Sequence, residues 1–247
     1  MATYAVGDIH GQAGALRRLL AQVEPSLTPG DWVVFLGDFI DRGPDSNGVL
    51  EELVRFRRRA PCAVRCLLGN HEQWLLRTLA DPTAHSWLLG MSGWTTVASY
   101  SPEVAALLRE RAHAAGVELL RGRVALPYER FFALLPASHL ELLRALEPFV
   151  RTPDAVCVHG GARSGAPVEA QAARSLVWGD ASFPDGYDGP DRIVYGHCDD
   201  ALLGEDGVVR ARRNRAGTAW GIDSVARGAL TCLRLPDQAV FWAPVVE

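Results

Sequence analysis

Six residues of types that commonly bind metal ions follow short apolar segments of this sequence. Aspartate or asparagine comes after three of the segments, and histidine comes after two later ones. The candidates are Asp8, His10, Asp38, Asn70, His159 and His197. Carboxylate and amide oxygens together with imidazoles suit manganese, iron or zinc without any thiolate. The set predicts a binuclear site, and Asp38 is the natural bridge because two ions need a shared carboxylate.

The apolar segments in the first third of the chain are spaced as strands that alternate with helices. Strands are predicted over residues 4–6, 32–36 and 62–68, and each is followed by an amphipathic segment with helical periodicity. This alternation is typical of βαβ units and a largely parallel sheet. Because ligands bind at the carboxyl ends of strands in such sheets, the residues after these strands are expected to share one edge.

The middle of the chain, residues 81–148, has helical periodicity and is predicted to be a helical insert. Its histidines His85, His113 and His139 have no ligand-type neighbours in sequence and are expected to be structural or surface residues. Further strands are predicted over residues 155–158, 193–195, 218–222, 230–235 and 239–242. The last three alternate apolar and polar residues as antiparallel strands do. The length of 247 residues predicts a single α/β domain over 1–247.

The charged residues exclude several kinds of chemistry. All 25 basic residues are arginines, so the chain cannot use a P-loop lysine, a Schiff base, a pyridoxal phosphate lysine or a lysine general base. The formal net charge of -4 argues against a nucleic-acid partner. No apolar run approaches the ~20 residues of a membrane span, so no membrane partner is expected.

The cysteines favour a reducing compartment. The five of them are scattered, and the N-terminus lacks the basic-then-apolar pattern of a secretory signal. Cys62 and Cys66 are four residues apart, but the segment around them is predicted to be a buried strand rather than a zinc site. A cytoplasmic location is therefore expected.

The candidate residues lie within stretches that resemble the signatures of the calcineurin-like metallophosphoesterases. Residues 7–11, 37–43 and 69–72 resemble the three N-terminal signatures, and residues 159–161 and 196–197 resemble the two later histidine motifs. The Asp41-Arg42-Gly43 extension resembles the phosphoprotein phosphatase branch, which includes small prokaryotic and phage serine/threonine phosphatases and symmetrical diadenosine tetraphosphatases. The resemblance implies a four-layer α/β/β/α sandwich with the metals at its rim.

The resemblance also implies roles for individual residues. Asp8 and His10 would bind a first ion with Asp38, and the second ion would be bound by Asp38, Asn70, His159 and His197. A hydroxide bridging the ions would attack phosphorus. His71 would protonate the leaving group as general acid, Asp41 would orient His71 and keep it protonated, and Arg42 would bind phosphate oxygens. The alternative for Asp41 and Arg42 is a turn former and its surface ion-pair partner.

One expected arginine is missing. Members of this branch usually carry a second phosphate-binding arginine after a Leu-x-Trp segment, but Leu176-Val177-Trp178 is followed by Gly179 and Asp180. Arg163 or Arg174 is expected to replace it in binding substrate. Otherwise Arg42 and the metals bind the phosphate alone, or Asp180 shifts the substrate preference.

Three functions are consistent with this sequence. The leading hypothesis is a phosphatase that uses two divalent ions, manganese foremost and iron or zinc as alternatives, on phosphoserine or phosphothreonine in proteins and also on phosphotyrosine or small phosphate esters. The alternative is a symmetrical dinucleoside tetraphosphate hydrolase. The second alternative is a metal-binding module without catalytic activity.

Overall fold

The first of two five-stranded sheets contains the N-terminal strands. The computed structural model describes residues 1–204 and 208–246. The strands of this sheet are β1 (Thr3–Val6), β2 (Trp32–Phe35), β3 (Ala63–Cys66), β11 (Ala229–Leu235) and β12 (Ala239–Pro244). Their order is β12-β11-β1-β2-β3. The first three strands are parallel, and β11 is antiparallel to β1 and β12. This agrees with the pattern read from the sequence, except that β3 is half-buried rather than buried, with Arg65 exposed.

The second sheet contains the strands that precede the two later histidine motifs. It consists of β4 (Phe149–Arg151), β5 (Val156–Val158), β6 (Ile193–Tyr195), β9 (Arg212–Arg213) and β10 (Ala219–Gly221), in the order β4-β5-β6-β10-β9. The expected antiparallel arrangement of residues 218–222 is only half right, because β10 is parallel to β6 and antiparallel to β9. A separate two-stranded sheet pairs β7 (Leu202–Leu203) with β8 (Val209–Arg210).

Helices connect the strands and fill the middle of the chain. The helices that follow β1, β2 and β3 are α1 (Ala13–Val23), α2 (Ser46–Arg59) and α3 (Asn70–Ala80). The segment predicted to be helical forms α4 (Ser86–Gly90), α5 (Gly93–Tyr100), α6 (Pro102–Ala115), α7 (Val117–Leu120), α8 (Glu129–Phe132) and α9 (Ala137–Arg144). A short α10 (Ala173–Trp178) follows β5. Short 3-10 turns cover Glu24–Ser26, Val168–Ala170 and Val225–Arg227.

The two sheets pack face to face with helices outside them, which confirms the predicted four-layer sandwich. Along β1, Tyr4 and Val6 belong to the apolar cluster under the helices, while Ala5 belongs to the cluster between the sheets. Cys157 and Val194 contribute to the latter cluster from the second sheet. This alternation follows from the two-residue period of a strand.

Two further expectations concern membranes and cysteines. Among the described residues, no helix is long and apolar enough to cross a membrane. All five cysteines are free thiols within the described parts of the chain.

Candidate metal centre and active site

The loops after β1 and β2 are bonded to each other directly above the carboxyl ends of these strands. The backbone N–H groups of Ile9 and His10 donate to the Asp38 carbonyl oxygen at 3.0 and 2.8 Å, and Gly43 N–H donates to the His10 carbonyl at 3.1 Å. His10 and Asp38 have left-handed backbones, with φ angles of 44° and 50°. Aspartate and histidine tolerate this conformation better than most residues with side chains. The loop pairing places both side chains at one edge of the sheet, as the sequence predicts.

Asp38 lies at the centre of the candidate ligands. Its Oδ2 is 3.6 Å from His10 Nε2 and 3.8 Å from His71 Nε2, and its Oδ1 is 3.4 Å from His159 Nε2. Ligand atoms of two groups lie within 4.8 Å of one another, His10-Asp38-His71 and Asp38-His159-His197. Asp38 belongs to both groups, which fits the bridging role expected from the sequence, although the first group contains His71 rather than the expected ligand Asp8.

Asn70 and Asp8 complete the cluster. Asn70 Oδ1 lies 3.0 Å from His159 Nε2 and 3.1 Å from His197 Nδ1. Asp8 Oδ2 is 3.9 Å from His10 Nε2, and the His197 backbone N–H donates to it at 3.0 Å. All six predicted ligands therefore lie together, from the ends of β1, β2, β3, β5 and β6.

The hydrogen bonds of the imidazoles fit metal binding. Nδ1–H of His10 donates to the Ile40 carbonyl at 3.1 Å, and Nδ1–H of His159 donates to the Leu36 carbonyl at 2.9 Å. Histidine ligands commonly donate their second ring N–H in this way, which leaves the other nitrogen free for a metal. His10 Nε2 is buried and has no hydrogen-bond partner among the described residues. A cation would satisfy this nitrogen, so the donor set fits the expected metals.

Burial and the charges of nearby carboxylates shift the pKa values of these imidazoles in opposite directions. Burial lowers the pKa of His10 to about 3 and that of His197 to about 4, so both imidazoles are neutral, as metal binding requires. Burial also lowers the pKa of His159, but the carboxylates of Asp38 and Asp8 outweigh it and raise this pKa to about 10. Metal binding through His159 would therefore have to release a proton.

His71 and Asp41 form a buried pair beside Asp38. His71 Nδ1–H donates to Asp41 Oδ2 at 2.8 Å. The same carboxylate accepts from Trp87 Nε1 at 3.1 Å and from the Thr96 hydroxyl at 2.5 Å. Burial lowers the pKa of His71, but the charges of Asp38 and Asp41 outweigh it and raise this pKa. Because Asp41 is buried and bonded to His71, it does not form a surface ion pair with Arg42, although its φ of 70° does place it in a bend.

The arginines lie at different distances from this cluster. Arg42 is exposed, and its Nη2 lies 3.5 Å from His71 Nε2. Arg163 Nε is 2.9 Å from Asp180 Oδ2, so Asp180, which stands close to where the missing arginine was expected, forms an ion pair. The Arg174 guanidinium lies over the Trp178 ring at 5.9 Å, and this ring contacts the His197 ring at 6.3 Å. Of the two arginines expected to replace the missing one, Arg174 is the one connected to the cluster, through the rings of Trp178 and His197.

Two buried carboxylates near the ligands were missed by the sequence analysis. Glu72 accepts from the backbone N–H groups of Asp38, Phe39, Ile40 and Gly69 at 2.8 to 3.2 Å. Burial and the charge of Asp38 raise the pKa of Glu72 to about 7. The sequence feature that could have identified Glu72 is its position in the Gly69-Asn70-His71-Glu72 stretch.

The second missed residue is Asp223, which follows β10. It accepts from the Asp199 backbone N–H at 2.8 Å. Burial and the neighbouring charge of Asp223 together raise the pKa of Asp8. The sequence signal for Asp223 is its position just after β10. This strand was predicted to be antiparallel, but it is parallel to β6 and antiparallel to β9.

The three histidines of the insert are structural or surface residues, as expected. His85 contacts the Tyr128 hydroxyl at 2.9 Å, and His139 contacts the Tyr100 hydroxyl at 2.6 Å. His113 is exposed.

The two packed mixed sheets, with histidine and carboxylate side chains gathered where their strands end, define a metallophosphoesterase-type sandwich. The family model for calcineurin-like phosphoesterases matches residues 1–228. The chain therefore belongs to the calcineurin-like phosphoesterase family.

Individual relatives resemble parts of the chain. The symmetrical bis(5'-nucleosyl)-tetraphosphatase of Pectobacterium carotovorum is 48% identical over 81 residues, which are 32% of this chain and 27% of the relative. The matched segment thus spans about a quarter of that relative. A solved structure provisionally described as a diadenosine tetraphosphatase has a TM-score of 0.65 at 20% identity and covers 100% of this chain and 94% of its own. A Saccharomyces cerevisiae protein serine/threonine phosphatase has a TM-score of 0.59 at 16% identity, covering 100% and 81%. The two structures establish similarity of fold only.

Proposed function

We propose that this chain is a metal-dependent phosphohydrolase that cleaves phosphate esters and whose preferred substrate is the central phosphoanhydride of a dinucleoside tetraphosphate. The observation that carries the reaction class is the central position of Asp38, which joins two groups of ligand atoms with the His71–Asp41 pair at its side. The substrate is supported by the local identity to symmetrical bis(5'-nucleosyl)-tetraphosphatase. This replaces the phosphoprotein as the leading substrate, and the phosphoprotein becomes the competing outcome of the assay.

The residues would divide the binding of two ions as the family resemblance implies. Asp8, His10 and Asp38 would hold one ion, and Asp38, Asn70, His159 and His197 the other. Two divalent cations in such a centre provide a nucleophile at neutral pH and neutralise charge on the phosphoryl group. Manganese is the first candidate because the donors are oxygens and imidazoles, and iron and zinc remain alternatives.

The protein's own groups would manage the proton and the phosphate charge. His71 is held against Asp41 with a raised pKa, so it carries the proton that a leaving oxygen needs. The exposed Arg42 would bind nonbridging oxygens with its planar guanidinium. Water attacks one of the two central phosphorus atoms, and the bond from that atom to the central bridging oxygen breaks. The departing oxygen takes the proton of His71, and two nucleoside diphosphates form.

Three substrates distinguish the hypotheses. With added manganese, we expect hydrolysis of p-nitrophenyl phosphate that chelation abolishes, and a higher kcat/KM on diadenosine tetraphosphate than on a phosphoserine peptide. The reverse preference would support the protein phosphatase instead. No metal-dependent turnover of any of the three would support the module without catalytic activity.

The role of His71 is tested by varying the leaving group. His71→Asn should lower kcat on phenyl phosphate, a poor leaving group, by about 100-fold or more, and should lower it less on p-nitrophenyl phosphate. His113→Asn, at an exposed histidine, is the matched control. Equal losses on both esters would show that His71 does not act as the general acid.

A further inference from the structure

A cavity of about 610 Å³ lies beside the C-terminal half of α3, bordered by α4 and α7. Its lining includes Trp74, Arg77, Ser86, Leu89, Leu120 and Arg121. Cavities that hold small organic ligands are typically about 300–1,000 Å³. We name it the α3–α7 cavity, and its size suits a nucleoside.

Helix α3 joins this cavity to the candidate metal centre. Asn70 is its first residue, and Trp74 and Arg77 follow at intervals of four and three, which places all three on one face. The distance from Asn70 to Arg77 along the helix axis is about 10 Å, from a rise of about 1.5 Å per residue. A group bound at Arg77 is therefore a short molecular arm away from the metal ligands.

A chain of aromatic contacts runs in the same direction. The Trp74 and Trp178 rings meet edge to face with centroids 6.3 Å apart, and the Trp178 and His197 rings meet at 6.3 Å. Trp178 Nε1 donates to Gln73 Oε1 at 2.6 Å, which fixes this ring against α3. Trp178 and Trp74 therefore form a fixed aromatic surface that extends from His197 to the cavity.

The lining offers planar and apolar surfaces that suit the base of a nucleoside. The Arg77 guanidinium lies over the Trp74 ring at 4.9 Å, so it covers one face of this ring, and its own exposed outer surface is planar. Leu89 and Leu120 are apolar but 44% and 75% exposed. Bases stack on aromatic side chains and on the planar guanidinium of arginine.

We propose that the α3–α7 cavity binds one nucleoside arm of the substrate, which extends from the metal centre past Trp74 and places its base at Arg77 and Leu120. The proposal rests on the dinucleoside tetraphosphate function proposed above. It assigns substrate selection to residues outside the metal centre, since p-nitrophenyl phosphate is too short to reach them.

The test compares substrates of different length and adds a binding measurement. Arg77→Ala and Leu120→Glu should each lower the ratio of kcat/KM for diadenosine tetraphosphate to that for p-nitrophenyl phosphate by about tenfold. Calorimetric titration of ADP into the chelated protein should show a similar weakening. The matched controls are Arg58→Ala, at an exposed arginine on α2, and Val117→Glu, at an exposed α7 residue outside the described lining of the cavity. Both controls should keep the wild-type ratio.

The outcomes separate the two proposals. If diadenosine tetraphosphate is hydrolysed but neither variant changes the ratio or ADP affinity, the cavity assignment is wrong and the hydrolase proposal stands. If no substrate is hydrolysed but ADP binds the wild type and binds Arg77→Ala more weakly, the cavity stands and the hydrolase proposal is wrong. If p-nitrophenyl phosphate alone is hydrolysed and ADP does not bind, both the substrate and the cavity assignments are wrong.

Discussion

At the scale of single residues, Glu72 positions the loop that contains Asp38 without being a candidate ligand. Its two carboxylate oxygens accept from four backbone N–H groups, three of them in residues 38–40. A buried carboxylate with several N–H donors contributes more than a neutral hydrogen bond does. Glu72 therefore holds Asp38 in its left-handed conformation.

Replacing this carboxylate by an amide tests its role. At pH 8, above the pKa of Glu72, Glu72→Gln should lower the free energy of unfolding by about 2–3 kcal/mol, because the amide NH₂ cannot accept from the backbone N–H groups it would face. Urea unfolding measures this loss, and a manganese titration should show weaker binding. Glu129→Gln, at an exposed glutamate, should change stability by no more than about 0.5 kcal/mol. Equal stability of the two variants would contradict the positioning role.

The candidate ligands could be located from the sequence, but the residues that support them could not. Asp8, Asp38 and Asn70 follow recognisable strands, and the carboxyl ends of parallel strands share an edge. Trp87 and Thr96, by contrast, reach Asp41 from a helical insert 46 and 55 residues away. Periodicity predicts that the insert is helical, but which of its side chains meets Asp41 depends on tertiary packing.

At the scale of elements, the loops after β1 and β2 approach each other too closely for a side chain. A Cβ added to Gly43 would overlap the His10 carbonyl oxygen and lie 2.9 Å from Gln12 Nε2. The contact keeps the two metal-binding loops in register.

Gly43→Ala should therefore separate these loops. We expect a loss of about 1–3 kcal/mol in unfolding free energy, as for other overpacked sites, together with reduced metal-dependent turnover. Gly30→Ala is the matched control, because a Cβ there meets nothing within 4 Å. Retention of wild-type stability and turnover by Gly43→Ala would show that the loops can move apart at little cost.

The helical insert contains a histidine whose protonation opposes folding. Burial lowers the pKa of His139, and its Nδ1 accepts from the Tyr100 hydroxyl while Nε2 faces Glu51 at 3.4 Å. The unfolded chain binds this proton more readily than the native chain. Its contribution to stability is thus complete above the unfolded pKa of about 6.5 and is lost as pH falls toward the lower folded pKa.

Removing this histidine should flatten part of the pH profile. His139→Gln should lower stability at pH 7 by about 1 kcal/mol through the lost hydrogen bond, yet lose less than the wild type does between pH 7 and pH 5. Urea midpoints at several pH values measure both effects, with His113→Gln as the control. Parallel profiles for His139→Gln and the wild type would exclude this residue as a source of acid sensitivity.

The strand directions show where sequence analysis was insufficient. The tail segments were correctly recognised as strands, and β11 and β12 pair in antiparallel fashion as predicted. Strand β10 has the same alternation, but it lies parallel to β6. Alternation of apolar and polar residues indicates which face of a strand is buried, but not which strand it pairs with. The direction of β10 therefore depends on the tertiary fold.

At the scale of the whole molecule, the candidate ligands come from both sheets. Asp8, Asp38 and Asn70 follow strands of the first sheet, while His159 and His197 follow strands of the second. Cations bound among them would link the two sheets at one end. Metal binding should therefore stabilise the entire fold.

Metal removal tests this linkage independently of turnover. Saturation at about 100 times Kd adds about 2.7 kcal/mol, so chelation should lower Tm by about 5–10 °C in a protein of this size. In the Asp38→Asn variant, chelation should lower Tm by less than half as much. An unchanged Tm after chelation would mean that the ligands do not hold cations across the sheets.

The left-handed backbones at His10, Asp38 and His197 also bear on how this protein could evolve. Glycine adopts such φ angles freely, whereas each residue with a side chain pays on the order of 1 kcal/mol or more. At these three positions a change that relaxes the backbone also removes a candidate ligand. A lineage under selection for heat resistance would thus find its improvements in the strands and helices, while these loops stayed strained for as long as metal binding was selected.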